Sequence, residues 1–251
     1  DSLQIGMTRL AQWGGEGRPQ DLDAFWNAVI GRDNGQTSGL KEGQDPSNQI
    51  AGFDFRLTLT PGDVPVGLYG QFMGEDEAGG LPSKFSSLAG LDMVTGLGQG
   101  SQRFFLEATE TVAGSWISDR RHSVAYEHGT YRSGFRHYGR NMATTWEGDA
   151  RAVTLGLQQY FRNGVTVGLN LSRATLNQDG TIRAVIAEDG AATLQSVEEQ
   201  DIALAELRIQ HPMLGGRLDW LLSATDEPVE TVFEERERFT AGLQWTRPIS
   251  W

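Results

Sequence analysis

The sequence predicts an all-β fold, an antiparallel transmembrane β-barrel of about 10–12 strands with long extracellular loops and a short loop helix. Three observations support this fold class. Apolar and polar side chains alternate every second residue, long and short connections follow one another, and the last strand ends at an aromatic residue, Trp251. The alternation indicates where the strands lie, and the connection lengths give each strand a direction across a membrane.

The clearest strand lies at residues 51–60. One face would carry Ala51, Phe53, Phe55, Leu57 and Leu59, and the other would carry Gly52, Asp54, Arg56, Thr58 and Thr60. Successive side chains of a strand point to opposite faces, so a strand separates these sets completely, whereas a helix would mix them. The pattern recurs near residues 3–13, 64–72, 103–109, 153–161, 165–172, 203–209, 218–222 and 239–245.

Alternation fits both a soluble sandwich and a membrane barrel, so the connections decide between them. Long connections are expected at 14–49, 115–149, 174–199 and 225–236, with a medium one at 75–84. Short turns are expected at 61–63, 98–100, 163–164 and 212–216, and Asn163-Gly164 is typical of a two-residue hairpin. Outer-membrane barrels alternate in this way because external loops are long and periplasmic turns are short. The 115–149 stretch leaves room for about one or two further strands.

The composition excludes several other classes of protein. Hydrophobic residues make up 38%, mean hydropathy is −0.39, and no apolar run approaches the ~18 residues of a spanning helix. The net charge of −12 disfavours nucleic-acid binding, which needs concentrated Lys and Arg. The absence of cysteine excludes disulfides, a thiolate nucleophile and a cysteine-ligated metal.

Several longer motifs make the sequence recognisable. They are Leu10–Pro19, Gln49–Arg56, Leu68–Gln71, Gly74–Glu77, Pro82–Lys84 and Tyr126–Arg136. With these motifs spread over most of residues 6–165, the chain resembles the capsule assembly protein Wzi family of outer-membrane barrels. Beyond that range the resemblance lies mainly in the strand pattern.

The resemblance implies an outer-membrane barrel lectin that helps to hold capsular polysaccharide at the bacterial cell surface. Family members carry upstream strands and a helical periplasmic part, so residues 1–251 are expected to be the C-terminal portion of a longer barrel domain. The expected partners are an acidic capsular polysaccharide, outer-membrane lipid and, through Trp251, the barrel-assembly machinery. No cofactor is expected.

Two tryptophans in and just before the first long connection are candidate sugar platforms. Residues 21–30 are predicted to form a short amphipathic helix capped by Asp21. Trp13 or Trp26 would offer a flat apolar surface to a pyranose ring, while charged groups of this connection such as Arg18 take its hydroxyls. In the alternative, Trp26 packs this helix against the barrel mouth and Trp13 belongs to an interfacial aromatic girdle.

A local basic island lies between Arg120 and Arg140. Its candidate polysaccharide-binding residues are Tyr126, His128, Tyr131, Arg132, Arg136 and Arg140. Arginine forms bidentate contacts with carboxylates, so the island favours an acidic polysaccharide that carries uronic acids or pyruvyl groups. The alternative is a ladder inside the lumen, in which these arginines pair with Asp54, Glu107 or Glu127. The residue types leave both interpretations open.

Signs of catalysis or metal binding are weak in this sequence. It has no Gly-x-Ser-x-Gly motif and no Gly-rich phosphate loop, and His122, His128 and His137 lack the spacing of metal ligands. The acidic run Glu75–Glu77 could hold calcium, but a solvated loop is the simpler interpretation. We therefore expect a binding protein without catalytic residues and without a metal. A porin-like diffusion channel for small solutes is the alternative function, and an outer-membrane hydrolase is the least favoured.

Overall fold

The predicted strands form one antiparallel meander. In chain order, the elements of the computed structural model are β1 (Ser2–Trp13), α1 (Leu22–Ile30), β2 (Ser47–Leu59), a 3₁₀ turn (Pro61–Asp63), β3 (Val66–Ala78), β4 (Leu81–Thr95), β5 (Gly100–Glu110), β6 (Arg136–His137), β7 (Arg140–Asn141), β8 (Arg151–Phe161), β9 (Thr166–Leu176), β10 (Gln200–Met213), β11 (Gly216–Thr225), β12 (Val229–Glu230), β13 (Glu235–Arg236) and β14 (Phe239–Thr246). The structure describes residues 2–14, 19–30, 47–78, 81–96, 98, 100–114, 116, 118–128, 131, 134–137, 140–142, 144–181, 196–231 and 235–248. Arg18, Arg132 and Trp251 lie outside these residues. Within these ranges, no helix is both long enough and apolar enough to cross a membrane.

Ten strands make a single sheet in the order β1-β2-β3-β4-β5-β8-β9-β10-β11-β14. Each of them pairs with its neighbour along the chain, which confirms the predicted antiparallel fold. The sheet is open in the described residues, where β1 pairs only with β2 and β14 pairs only with β11. The described residues of 115–149 contain two short strands, β6 and β7, which pair with each other as a separate hairpin rather than with the ten-stranded sheet.

The outward face of the sheet carries the residues that would meet lipid. Large apolar side chains are exposed on it, among them Leu3, Ile5, Met7, Leu68, Leu91, Leu106, Leu155, Leu169, Leu171 and Leu243. On β2 the apolar outward residues run from Ala51 to Leu59, close to the ~9–11 residues that a tilted strand needs to cross a bilayer. Beyond Ala51 the outward side chains become polar, as where Arg9 Nε donates to Gln49 Oε1 at 2.8 Å.

An aromatic cluster marks the upper limit of the apolar band, at the end of the sheet that carries the long connections. Phe53, Phe72 and Phe85 pack together on adjacent strands, with ring centroids 5.2, 6.0 and 6.2 Å apart. Aromatic residues are enriched at the membrane–water interfaces of barrels. Residues farther along the strands than these rings therefore lie outside the membrane-spanning segments.

The inward face is polar, and its central charges are paired across strands. Asp92 on β4 accepts hydrogen bonds from Arg56 on β2 (2.7 Å) and from Arg103 on β5 (2.8 Å). Asp92 is buried, whereas both guanidinium groups are partly exposed to the lumen. The Arg56 side chain passes over Gly67 on β3, where a Cβ would lie only 2.3 Å from Arg56 and from Asp92. The ion pair therefore needs the glycine between its two strands.

The short turns differ in detail from the expected ones. At Asn163-Gly164 the N–H of Phe161 donates to the carbonyl of Val165 (2.9 Å), so the turn has three residues, and only Gly164 has a positive φ (+85°). A three-residue turn needs one left-handed position, whereas a two-residue type I′ turn needs two. The two-residue turn with two positive φ angles occurs instead between β10 and β11, where Leu214 and Gly215 have φ of +50° and +70°.

The medium connection expected at 75–84 is wrong. β3 continues to Ala78 and β4 begins at Leu81, with register pairs that include Gly74–Phe85 and Asp76–Ser83. The acidic run at 75–77 therefore lies on a strand rather than in a solvated loop. This run is polar because the strands extend past the apolar band. A change from apolar to polar residues therefore marks the edge of the membrane-facing band and not the end of the strand.

Gly156 on β8 lies beneath the buried ring of Phe105 on β5, and a Cβ at this glycine would meet that ring at 2.0 Å. We expect Gly156→Ala to destabilise the folded protein by about 1–3 kcal/mol, because the enclosed ring has to leave its position. Thermal unfolding in detergent micelles, followed by circular dichroism, measures this loss.

Gly168→Ala provides the matched control on the next strand. A Cβ there meets only the carbonyl oxygen of Arg208, at 4.0 Å. We expect this variant to unfold at nearly the temperature of the unmodified chain. Equal losses in both variants would contradict the steric explanation.

Candidate functional site

The long connection between β5 and β8 folds onto the end of the sheet. We call the described residues of 111–150 the cap. An apolar cluster of Ile50, Ala125, Tyr126 and Phe135 joins the cap to β2, and the partly buried Met73 of β3 packs against this cluster. The cap is thus a packed layer over strands that line the lumen.

The base of the cap is closed by one buried threonine. The hydroxyl of Thr111 donates to the carbonyl of Glu147 (2.8 Å) and accepts from the N–H of Ala150 (2.8 Å). The N–H of Thr111 in turn donates to the carbonyl of Ala150 (2.8 Å). These bonds bring the two ends of the connection together, so the cap leaves and rejoins the sheet at one place.

Arg136 is the centre of the cap rather than part of its surface. Its guanidinium lies 3.1 Å from Glu147, and the two side chains are only 2% and 3% exposed. It also donates to the carbonyl of Tyr126 (3.2 Å), and Asn141 donates to Glu147 (3.2 Å). Burial raises the pKa of the Glu147 carboxyl, while Arg136 opposes the shift. The structure therefore places this guanidinium inside the cap, paired with Glu147, and its contact with a polysaccharide stays a prediction.

A second acidic group is enclosed where the cap meets β3. The carboxylate of Glu75 accepts a hydrogen bond from the N–H of Tyr126. Burial raises the pKa of Glu75 to about 8, although hydrogen bonds from the backbone of Tyr126 and Glu127 lower it. Glu75 lies beyond the aromatic cluster and so outside the membrane-spanning segment. Burial also raises the pKa of the Tyr126 phenol.

A cavity of about 470 Å³ lies between the cap and the inward faces of the first strands. Its lining includes hydroxyl, amide and carboxylate side chains together with aromatic ones: Thr8, Gln71, Ser86, Thr109, Thr144, Thr145, Glu107, Tyr126, Phe135 and Trp146. A pocket that combines aromatic faces with several hydrogen-bonding groups can hold a ring-shaped polar molecule. Tyr126, a predicted site residue, is buried and contributes to this wall.

Other predicted island residues take different positions. The rings of His128 and Tyr131 lie 5.6 Å apart at an angle of 57°, and the N–H of Tyr131 donates to His128 Nδ1 (3.1 Å). Both side chains are partly buried. The backbone of Arg140 belongs to β7, where it pairs with His137. Arg132 lies outside the described residues, as does Arg18.

The two tryptophans are not brought together as one platform. Trp13 ends β1 and meets Phe25 of α1 edge to face, with centroids 5.3 Å apart. The predicted helix is confirmed, and the Asp21 carboxylate accepts from the N–H of Ala24 (2.7 Å) as its cap. Packing of Trp26 against the barrel mouth is wrong, since its side chain is 60% exposed. The helix buries the small residues Ala24 and Ala28 instead.

Ion pairs do line the lumen, as one interpretation of the basic island predicted, but other residues form them. Its charged pairs come from strand residues such as Arg56 and Asp92, while the island contributes the separate pair Arg136–Glu147. Pairing of the island with Asp54, Glu107 or Glu127 is therefore not the arrangement that the described ion pairs show. Arg120 and Arg121 of the island remain exposed on the cap.

Sequence reasoning missed the polar wall of the cavity. Thr144, Thr145 and Trp146 stand together in the chain and form part of it, so the run of hydroxyls before an aromatic residue was an available signal. Gln71 and Thr109 carried no such signal. Their contribution depends on where the cap docks, which local periodicity does not encode.

Comparisons with known proteins agree with this architecture. The chain is similar to the solved Wzi of Escherichia coli, described as an outer-membrane protein involved in group 1 capsule assembly and as a carbohydrate-binding β-barrel. The TM-score is 0.68 at 26% identity, over 90% of this chain and 44% of that one. A Klebsiella pneumoniae protein, described as an uncharacterized 55.8 kDa protein in the cps region, is 44% identical over 111 residues.

That match to the Klebsiella protein covers 44% of this chain and 21% of the relative. The chain thus spans less than half the length of either protein. The family model described as capsule assembly protein Wzi matches residues 1–241, which is nearly the whole chain. Together with the barrel-type sheet and its apolar outward band, this match shows that the chain is an outer-membrane protein of the capsule assembly protein Wzi family.

Proposed function

We propose that this chain helps to bind and anchor capsular polysaccharide at the bacterial cell surface, with the cap and the cavity beneath it as the binding face. The observation that carries the proposal is the cavity, whose mixed aromatic and hydroxyl lining suits a sugar ring. It lies at the end of the sheet that carries the long connections, which in outer-membrane barrels faces the outside. The similarity to a carbohydrate-binding barrel supports the same function.

The charged residues of the site favour different polysaccharide units in the cavity and on the surface of the cap. The carboxylate side chain of Glu107 lines the cavity, so an anionic sugar unit would meet an acidic group there. The exposed Arg120 and Arg121 on the cap can instead receive a carboxylate. We therefore assign neutral sugar units to the cavity and the acidic groups of the polysaccharide to these arginines. Trp13, Trp26, His128, Tyr131, Arg18, Arg132 and Arg140 remain candidate contacts.

The remaining partners follow from the surface of the sheet. The outward apolar band would contact outer-membrane lipid, and Trp251 would present the assembly signal to the barrel-assembly machinery. We assign binding rather than cleavage to this site, since the Glu75 carboxyl accepts from the N–H of Tyr126 and Glu147 is ion-paired with Arg136.

Filling the cavity tests the proposal directly. Gln71 faces the lumen from β3, is exposed and lines the cavity, so Gln71→Trp fills space without removing a packed side chain. We expect the dissociation constant for purified capsular polysaccharide to rise by at least about tenfold, a loss of about 1.4 kcal/mol. Calorimetric titration of the purified protein in detergent measures it.

The matched control is Gln158→Trp, the same substitution at a partly buried inward residue of β8 outside the cavity lining. It should bind the polysaccharide as the unmodified chain does. If Gln71→Trp also bound normally, the cavity would not be the binding site.

Removing the cap cations tests the acidic part of the ligand. The double variant Arg120→Ala with Arg121→Ala should bind an acidic capsule roughly threefold to tenfold more weakly, because two exposed charge contacts are lost. The difference should shrink at high ionic strength, since salt screens exposed charges. Titrations at low and high salt, with neutral dextran as the comparison ligand, measure both effects.

The control for this pair removes two exposed arginines from the other end of the sheet, Arg162→Ala with Arg247→Ala. It changes the net charge by the same amount. An equal loss of affinity in both double variants would show a general charge effect and would refute the assignment to the cap.

Closure of the cap should depend on pH through Glu75. Its pKa is raised from an ordinary value of 4.5 to about 8 by burial under the cap. An open cap returns the carboxyl to water and restores the ordinary value. The closed form is therefore favoured below pH 4.5, and that advantage is lost as pH rises through about 8.

Trypsin cleavage after the buried Arg136 reports how often the cap opens. The rate for the unmodified chain, divided by the rate for Glu75→Gln at the same pH, should rise by up to about tenfold per pH unit between pH 6 and 8 and then level off. Gln keeps the acceptor for Tyr126, and the ratio cancels the protease's own pH dependence. A ratio that stays constant from pH 6 to 9 would show that Glu75 does not control opening.

A further inference from the structure

Three side chains far apart in the sequence converge where the cap meets the upper ends of β8 and β9. They are His122 of the cap, Asp149 just before β8 and Asp179 just after β9. One ligand-type atom from each lies within 4.8 Å of the others. From this convergence we infer a binding site for a divalent transition-metal ion, with Zn²⁺ as the best-fitting ion. The inference is independent of the proposed polysaccharide binding.

The histidine nitrogen is the observation that points to a cation. Nδ1 of His122 is buried and has no hydrogen-bond partner among the described residues. It faces Oδ1 of Asp149 at 3.8 Å, which is too long for a hydrogen bond. Around a zinc ion with ligands at about 2.0–2.2 Å, neighbouring ligand atoms lie roughly 3–4 Å apart. The separation is therefore that of two atoms that share an ion.

The carboxylates are oriented by neighbours that hold their other contacts. Oδ2 of Asp149 accepts from the N–H of Ser123 (2.6 Å). Asp179 accepts from the N–H (3.1 Å) and the hydroxyl (2.8 Å) of Thr181. Hydrogen bonds of this kind fix the direction of a ligating carboxylate and are usual around metal sites. The hydroxyl of Ser123 lies within 3.5 Å of both carboxylates.

The donor set selects the class of ion. Imidazole nitrogen suits zinc and its transition-metal neighbours, whereas calcium and magnesium take oxygen ligands. His122 keeps 31% of its side chain exposed, so an ion can reach the site from solvent. Sequence spacing could not show this set, because its members stand 27 and 30 residues apart in the chain.

Such an ion would fasten the cap to the sheet. It would join the segment that carries His122 to the starting end of β8 and the finishing end of β9, and it would add to hydrogen bonds such as Ser123–Asp149 that already connect them. Binding to the folded form raises its stability by mass action. Thermal stability should therefore increase with Zn²⁺ concentration.

The test is calorimetric titration of the purified full chain in detergent with ZnCl₂, and separately with CaCl₂. We expect one Zn²⁺ per chain, a raised unfolding temperature, and much weaker Ca²⁺ binding. His122→Gln and Asp179→Asn should each weaken Zn²⁺ binding at least tenfold. Both side chains are partly exposed, so their loss leaves the fold intact, which circular dichroism verifies.

His211→Gln is the control, because His211 lies on β10 near the short turns and away from the cluster. It should leave Zn²⁺ binding unchanged. Visible absorption of the Co²⁺ form should be lost in His122→Gln and kept in His211→Gln. The inference is overturned if no stoichiometric Zn²⁺ binds, if both site variants bind it normally, or if Ca²⁺ binds as tightly and His122→Gln has no effect.

Discussion

The whole structure depends on the requirement that backbone N–H and C=O groups inside a bilayer find partners in the protein. The ten-stranded meander meets it by pairing each strand with its neighbour along the chain. Pairing then fixes the direction of every side chain, since successive residues must face either lipid or lumen. Phe53 and Arg56 are three residues apart and lie on opposite faces for this reason. Charge is left with the inward face and with the strand ends on either side of the apolar band.

Charge confined to these places is largely consumed by pairing. Asp92 pairs with two arginines in the lumen, and Gly67 leaves room for the side chain of Arg56. In the cap, Glu147 holds Arg136 in the same way, but fully buried. A basic island in the sequence is therefore partly a scaffold. Its arginines count as ligand contacts only where the fold leaves them exposed, as it does at Arg120 and Arg121.

Local patterns were enough to predict the strands and the loop helix, because alternation and an N-terminal Asp21 act over a few residues. They failed at 75–84, where the polar residues mark the edge of the apolar band and not the end of the strand. They also did not indicate the pairing of Arg136 with Glu147, eleven residues away, or the wall formed by Gln71 and Thr109. These features depend on how the cap docks, and docking rests on the cluster that Ile50 of β2 forms with Ala125, Tyr126 and Phe135 of the cap.

Under the proposed function, the placement of acidic and basic groups limits what the site can bind. Glu107 lines the cavity, while the exposed Arg120 and Arg121 of the cap lie outside its lining. In a chain with a net charge of −12, an acidic polymer is repelled except near such local cations. A polymer of mixed neutral and acidic units fits this arrangement, since a neutral unit can enter while its acidic neighbour stays at the rim. Specificity would then come from the spacing of the acidic units along the polymer rather than from any single contact.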